Sequence, residues 1–87
     1  RFFAEYKGNF YSTGDTVSLQ NGSAILKVFT PKSCTIKLIH NGEKIIEHNG
    51  MEAVWDIKNE GIYRVECFIK DKGWIFSNNI RINHLVN

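Results

Sequence analysis

Apolar and polar side chains alternate with a period of two along most of this chain. In "TVSLQ" (16–20), Val17 and Leu19 share one side, with Thr16, Ser18 and Gln20 opposite. In "AILKVF" (24–29), Ala24, Leu26 and Val28 align against Ile25, Lys27 and Phe29. "CTIKLIH" (34–40) sets Cys34, Ile36 and Leu38 on one face and Lys37 on the other. "GIYRVECFIK" (61–70) sets Tyr63, Val65, Cys67 and Ile69 against Arg64, Glu66 and Lys70, which share their face with Ile62 and Phe68. Successive side chains of an extended chain point to opposite faces, so each segment predicts a half-buried strand. No apolar spacing at i, i+3 and i+4 persists over three turns, and the apolar set is mostly β-branched and aromatic. Both features favour strand over helix.

The punctuation agrees. Asn-Gly occurs at 21–22, 41–42 and 49–50, and this dipeptide tolerates the positive φ that a type I′ hairpin turn requires. "IKLIHNGEKIIE" therefore predicts a hairpin pairing Ile36–His40 with Glu43–Glu47, followed by a new strand in which Ala53, Trp55 and Ile57 face inward. Pro31 falls between two expected strands, where its missing N–H does no harm. Gly14-Asp15, 59–61 and 70–73 supply further turns. Seven or eight short strands without helices predict an all-β fold, an immunoglobulin-like antiparallel β-sandwich in one domain over residues 1–87. "NEGIY" ahead of a long strand is similar to a tyrosine corner, in which a glycine (Gly61) turns the chain and a tyrosine (Tyr63) returns its hydroxyl to upstream backbone. The disulfide of antibody domains does not carry over, because Val65 stands two residues beyond that tyrosine and Cys67 lies further on.

Composition narrows the function classes. With 87 residues and a net charge of +2, the basic excess is too small to argue nucleic acid or an anionic membrane as partner. No apolar run approaches the roughly 18–20 residues that span a bilayer. The start at Arg1-Phe2-Phe3 reads as the middle of a longer chain, so the expectation is a domain excised from the C-terminal end of a larger protein. Any targeting region would then lie upstream and no compartment is assigned. Cys34 and Cys67 are the only cysteines. They lack CxxC spacing, and either a cross-sheet disulfide or two buried free thiols fits them.

Chemistry is sparse. His40, His48 and His84 fall at turn edges, and a metal site from them would need Glu43 or Glu47. No serine has a nucleophile-elbow context and no glycine-rich phosphate loop occurs, so no catalytic or metal-binding residue is assigned. Trp55 and Trp74, with Tyr6, Tyr11 and Phe10, could form an aromatic platform for sugars, though the alternation of Trp55 with Ala53 and Ile57 places its ring in the core. In "WIFSNNIRI" (74–82), an unbroken strand would align Trp74, Phe76, Ile80 and Ile82 and bury Asn78 among them. A bulge at 77–79 would instead turn Ile75 inward and Trp74 and Phe76 outward, as a docking patch. Both arrangements are open at the level of sequence.

"GIYRVECFIK…GWIFSNNIRI" resembles the closing motif of the β-sandwich domain appended to certain bacterial PHP-domain metal-dependent phosphoesterases. "FFAEYKG", "TGDTVSL" and "IKLIHNGEKI" are similar to that domain's earlier blocks, in the same order. The family has proline where this chain has Asn79. The resemblance implies a non-catalytic accessory domain packed against an upstream catalytic domain that would itself carry the divalent metals, with no cofactor bound here. Trp74, Phe76, Asn78 and Asn79 are the candidate interdomain or ligand contacts, on the outward patch that a bulge at 77–79 would present. The tyrosine-corner pattern makes Gly61 and Tyr63 structural, and the alternation does the same for Trp55. As an isolated piece the chain is expected to be a monomer or weak oligomer. The alternative is a carbohydrate- or protein-binding immunoglobulin-like module.

Overall fold

The computed structural model describes residues 1–70 and 72–85. They form eight strands and no helix: β1 (Phe2–Tyr6), β2 (Asn9–Ser12), β3 (Thr16–Leu19), β4 (Ala24–His40), β5 (Glu43–Ile57), β6 (Gly61–Ile69), β7 (Lys72–Phe76) and β8 (Ile80–His84). The alternation read from sequence sets their faces. Val17, Leu19, Leu26, Val28, Ile36, Leu38, Tyr63, Val65, Ile80 and Ile82 all point into one buried core. Each fully buried aliphatic side chain stabilises the fold by roughly 1.5–3 kcal/mol.

Hydrogen bonding joins the strands into one nearly closed, barrel-like sheet. The cause is the length of the central hairpin. β4 spans 17 residues and β5 spans 15, so one pair serves both ends of the fold. β1 lies against the first half of β4 and β6 against its second half, with β5 along the other side throughout. The change of neighbour coincides with a slip in register, from Phe29 opposite Glu52 to Cys34 opposite Gly50. Pro31 sits inside this slip, within β4 and not between strands. There its lack of an N–H removes no ladder bond. The buried Thr30 hydroxyl lies 2.8 Å from the Lys32 carbonyl and 3.1 Å from that of Met51, which holds the slip together.

Two turn expectations need correction. Asn49-Gly50 makes no turn. It lies within β5, opposite Thr35 and Cys34, where the extra residues of β4 bend the hairpin. Asn21-Gly22 lies in a loop between β3 and β4, which do not pair with each other. Asn41-Gly42, by contrast, forms the expected tight hairpin, both residues having positive φ (51° and 87°).

The expectation of a wholly antiparallel sheet also needs correction, because β3 runs parallel to β8, with Val17 opposite Ile82. The turn at Gly14-Asp15 seats this pair. Gly14 N–H donates to the Asn79 carbonyl at 2.7 Å and Arg81 N–H to the Asp15 carbonyl at 3.1 Å. Tyr6 draws the remaining gap together. Its hydroxyl accepts from Gln20 N–H (2.8 Å) and Asn21 N–H (3.2 Å) and donates to the Asn21 carbonyl (3.0 Å). One buried phenol thus ties the end of β1 to the end of β3. The same bonds, led by that with Asn21, hold the Tyr6 phenol below its ordinary value.

Candidate functional site

The "WIFSNN" segment is a strand that breaks and re-forms along one partner. β7 pairs with the second half of β6 and β8 with its first half, both antiparallel. Between them Ser77 stands in for the missing ladder. Its N–H donates to the Val65 carbonyl at 3.0 Å, while its Oγ accepts the Val65 N–H at 2.8 Å. Asn78 and Asn79 bow out to solvent, and the freed Asn79 carbonyl takes the bond from Gly14. The break resets the side-chain parity: Ile75 packs on the core with Ile80 and Ile82, and Phe76 turns outward.

Trp74 follows a separate local rule. Cys67 faces Ile75 and Phe68 faces Gly73, so Trp74 is the extra residue of a bulge. Two successive residues can lean the same way there, and Trp74 packs half-buried against the core beside Ile75. Of the expected contact residues, then, Phe76, Asn78 and Asn79 are exposed and Trp74 is half-buried.

Phe76 is 60% exposed and meets Phe68 edge-to-face, with ring centroids 5.9 Å apart. The Lys37 ammonium lies over the opposite partner of that pair, 4.5 Å from the Phe68 centroid. Thr35, Lys37, Glu47 and Phe68 line a shallow depression of about 230 Å³ beside it. Arg64 and Glu66 form an ion pair on the same outer face. The result is an apolar ridge bordered by charge. Such an arrangement suits a docking surface, since an aromatic anchor gains from desolvation while the polar border sets orientation. A second depression of about 190 Å³ is lined by Gly14, Asp15, Thr16, Ile62, Asn79 and Arg81, so Asn79 borders a hollow on the other side of the break.

Gly61, Tyr63 and Trp55 lie elsewhere. The Tyr63 hydroxyl donates to the Asn59 carbonyl at 2.8 Å and its ring stacks on His40 at 4.5 Å between centroids. Burial pushes the Tyr63 phenol up from its ordinary value. His40 Nε2 donates to the Glu60 carbonyl at 2.7 Å. Gly61 admits that ring: a Cβ there would lie 2.6 Å from His40 Cδ2. Trp55 packs half-buried against the core, beside the buried Ala53 and Ile57.

The thiols of Cys34 and Cys67 are both free and buried. Ile36 faces Cys67, so the two cysteines are diagonal neighbours on the inner face. Burial, and then the neighbouring Cys34, push the Cys67 thiol up to about 12. A thiol held protonated in this way is a poor nucleophile and a poor metal ligand. Nε2 of His84 donates to the Lys58 carbonyl at 2.6 Å. Among the described residues no group of three His, Cys, Asp or Glu side chains could hold a metal ion.

The aromatic platform imagined from sequence is divided. Tyr6 is buried, Tyr11 and Trp55 pack on the core, and only Phe10 stands outside. Phe10 joins two residues that sequence reading passed over. Phe3 contacts Phe10 edge-to-face at 5.8 Å and Phe29 in a stacked arrangement at 6.0 Å, with the Arg1 guanidinium 4.6 Å from the Phe3 centroid. A signal was present: Phe2 and Phe3 are adjacent on a strand, so one of them must face outward. Comparison with protein-family models, with curated proteins and with solved structures gives no match to this chain.

Proposed function

We propose that this chain is a non-catalytic accessory domain that docks on the catalytic domain of a larger enzyme through the outer face of β6 and β7. In its sharpest form the parent is a PHP-type metal-dependent phosphoesterase whose own upstream domain binds the divalent metals. The observation that carries the docking reading is Phe76, turned to solvent by the break in β7–β8, braced by Phe68 and bordered by Lys37. A large exposed aromatic within a charged rim gains most when a partner covers it. The sequence resemblance supplies the identity of the partner. An immunoglobulin-like assignment is supported by the hydroxyl bond from Tyr63 to Asn59 ahead of the long strand β6.

The test starts from the reading frame that encodes Arg1 and what precedes it. A His- and Asp-rich region upstream, bound in trans by this chain and lost at least ~10-fold with Phe76→Ala, is the expected result. An upstream region without such residues overturns the phosphoesterase parentage. Aryl-phosphate turnover by the 87-residue chain alone, with manganese supplied, overturns the non-catalytic reading.

A second reading, a carbohydrate-binding module, is favoured by the row Phe10–Phe3–Phe29 with Arg1 above it. It expects ring resonances of Phe10 and Phe29 to shift on titration with a panel of oligosaccharides. Unmoved rings would dismiss it.

A further inference from the structure

The outer edge of β5 has no partner among the described strands, because β5 pairs with β4 alone. A strand with one neighbour leaves alternate N–H and C=O groups unpaired, which makes it a template for another strand. Along its first part, residues 43–50, every position but Gly50 is exposed, and this includes Ile45 (50%) and Ile46 (45%). Leu38 faces Ile46 and Ile39 faces Lys44, so Ile45 is the extra residue of a bulge. A bulge of this sort usually discourages promiscuous pairing. What remains is a narrow requirement: a partner must match both the bulge and the charges around it.

The segment "EKIIEH" (43–48) meets that requirement when set antiparallel to itself. With Ile45 opposite Ile46 of a second copy, Lys44 falls opposite Glu47, and Glu43 opposite His48. A two-fold axis repeats each pair, so two Lys–Glu pairs and two Ile–Ile contacts form, and the two bulges meet symmetrically about the axis. We propose that β5 is a self-recognition edge and that two copies of this chain associate isologously through residues 43–48, extending the sheet across the pair.

The energetics set how strong this is. In the single chain Lys44 Nζ already lies 2.6 Å from Glu47 Oε1. Pairing exchanges that partner for its counterpart on the other copy and adds little Coulombic gain. The net drive is the covering of the isoleucines and the new backbone bonds. Six residues from each copy bury less than the ~1,200 Å² of a standard interface. The association is therefore weak, with a dissociation constant on the order of 0.1–1 mM. The charges act chiefly as register marks: in a slip of one residue Lys44 faces Ile46 or His48, and its match with Glu47 is lost.

Sedimentation of the 87-residue chain up to about 2 mM reads the constant directly. The expected result is a mass that rises with concentration, with amide broadening confined to residues 43–48. Lys44→Glu or Glu47→Lys alone places like charges opposite each other twice per pair, and each should weaken association at least ~10-fold. An equimolar mixture of the two variants restores opposite charges at every position across the interface, although neither chain regains its internal Lys44–Glu47 pair. The mixture should therefore associate at least as tightly as the parent chain. A parent chain monomeric throughout, variants that associate undiminished, a mixture that stays monomeric, or broadening centred on Phe10 or Phe76 would each overturn the proposal.

Discussion

The hydroxyl of Tyr63 reaches back to the Asn59 carbonyl at 2.8 Å, from a ring that is 1% exposed. The bond closes the turn that feeds β6, the strand on which β4, β7 and β8 all pair. Tyr63→Phe keeps the ring and its stack on His40 while removing the bond. The expected cost is about 1 kcal/mol, near the low end for a lost hydrogen bond because Asn59 is exposed and water can take over its carbonyl. For a domain of this size that is a fall of about 4–8 °C in melting temperature. An unchanged calorimetric transition would show that the bond contributes nothing net.

Gly61 stands at the same turn for two separate reasons, its φ of 146° and the His40 ring that fills its Cβ position. Gly8, with φ 79° and open space around it, shares only the backbone reason. Gly8→Ala should cost roughly 1–2 kcal/mol from the left-handed conformation alone. Gly61→Ala should cost more, because His40 must also leave its stack on Tyr63 and its bond to Glu60. Denaturant midpoints of the two variants test the order. Equal losses would mean that His40 moves aside freely.

Much of this arrangement is legible in the sequence, and what is not has a physical reason. Alternation placed Val17, Leu26, Ile36, Val65 and their neighbours on the inner face correctly, because the strand period is a local property. Asn41-Gly42 was legible as a hairpin for the same reason. Asn49-Gly50 is the same dipeptide and makes no turn. Its fate is decided by the slip at Thr30–Ser33 in β4, which no window around residue 49 contains. The parallel pairing of β3 with β8 joins residues some sixty positions apart and depends on one carbonyl, that of Asn79, being released from its own strand. The two parities of "WIFSNNIRI" are decided by Ser77, whose side chain imitates a backbone acceptor. The row Phe3–Phe10–Phe29 draws on three strands, and no single stretch announces it.

The Cys67 thiol gives the fold an alkaline limit. Cys67 holds its proton up to about 12, against an ordinary 9.0, because burial and then the adjacent Cys34 disfavour the thiolate. The unfolded chain releases that proton at lower pH than the native state does. This contribution to stability is therefore fully present below about pH 9 and is lost progressively as pH rises toward 12. Tyr63, raised by burial, adds loss of the same sign above its ordinary 10.0, and Tyr6, lowered by its backbone bonds, acts in the opposite sense. Chemical denaturation of the parent chain and of Cys67→Ala, each at pH 7 and pH 10.5, separates the terms. The drop between the two pH values should be visibly smaller in the variant, whatever its stability at pH 7. An equal drop in both would assign the alkaline limit to other groups.

Ser77 offers the most direct check on how the break in the last strands is held. Its hydroxyl accepts the N–H of Val65, a core residue with 2% exposure, at the point where β7 has ended and β8 has not begun. Ser77→Ala leaves that buried donor unpaired unless water enters, at a cost of about 1–3 kcal/mol. Asn78→Ala, one position further along and exposed, should stay within about 0.5 kcal/mol of the parent. Ser77→Thr retains the acceptor and should recover most of the loss. Hydrogen exchange at the Val65 amide reads the same bond without reference to global stability, and it should accelerate in Ser77→Ala and not in Asn78→Ala. Equal protection of that amide in all three variants would mean that another acceptor replaces the hydroxyl. The outward turn of Phe76 would then owe nothing to Ser77.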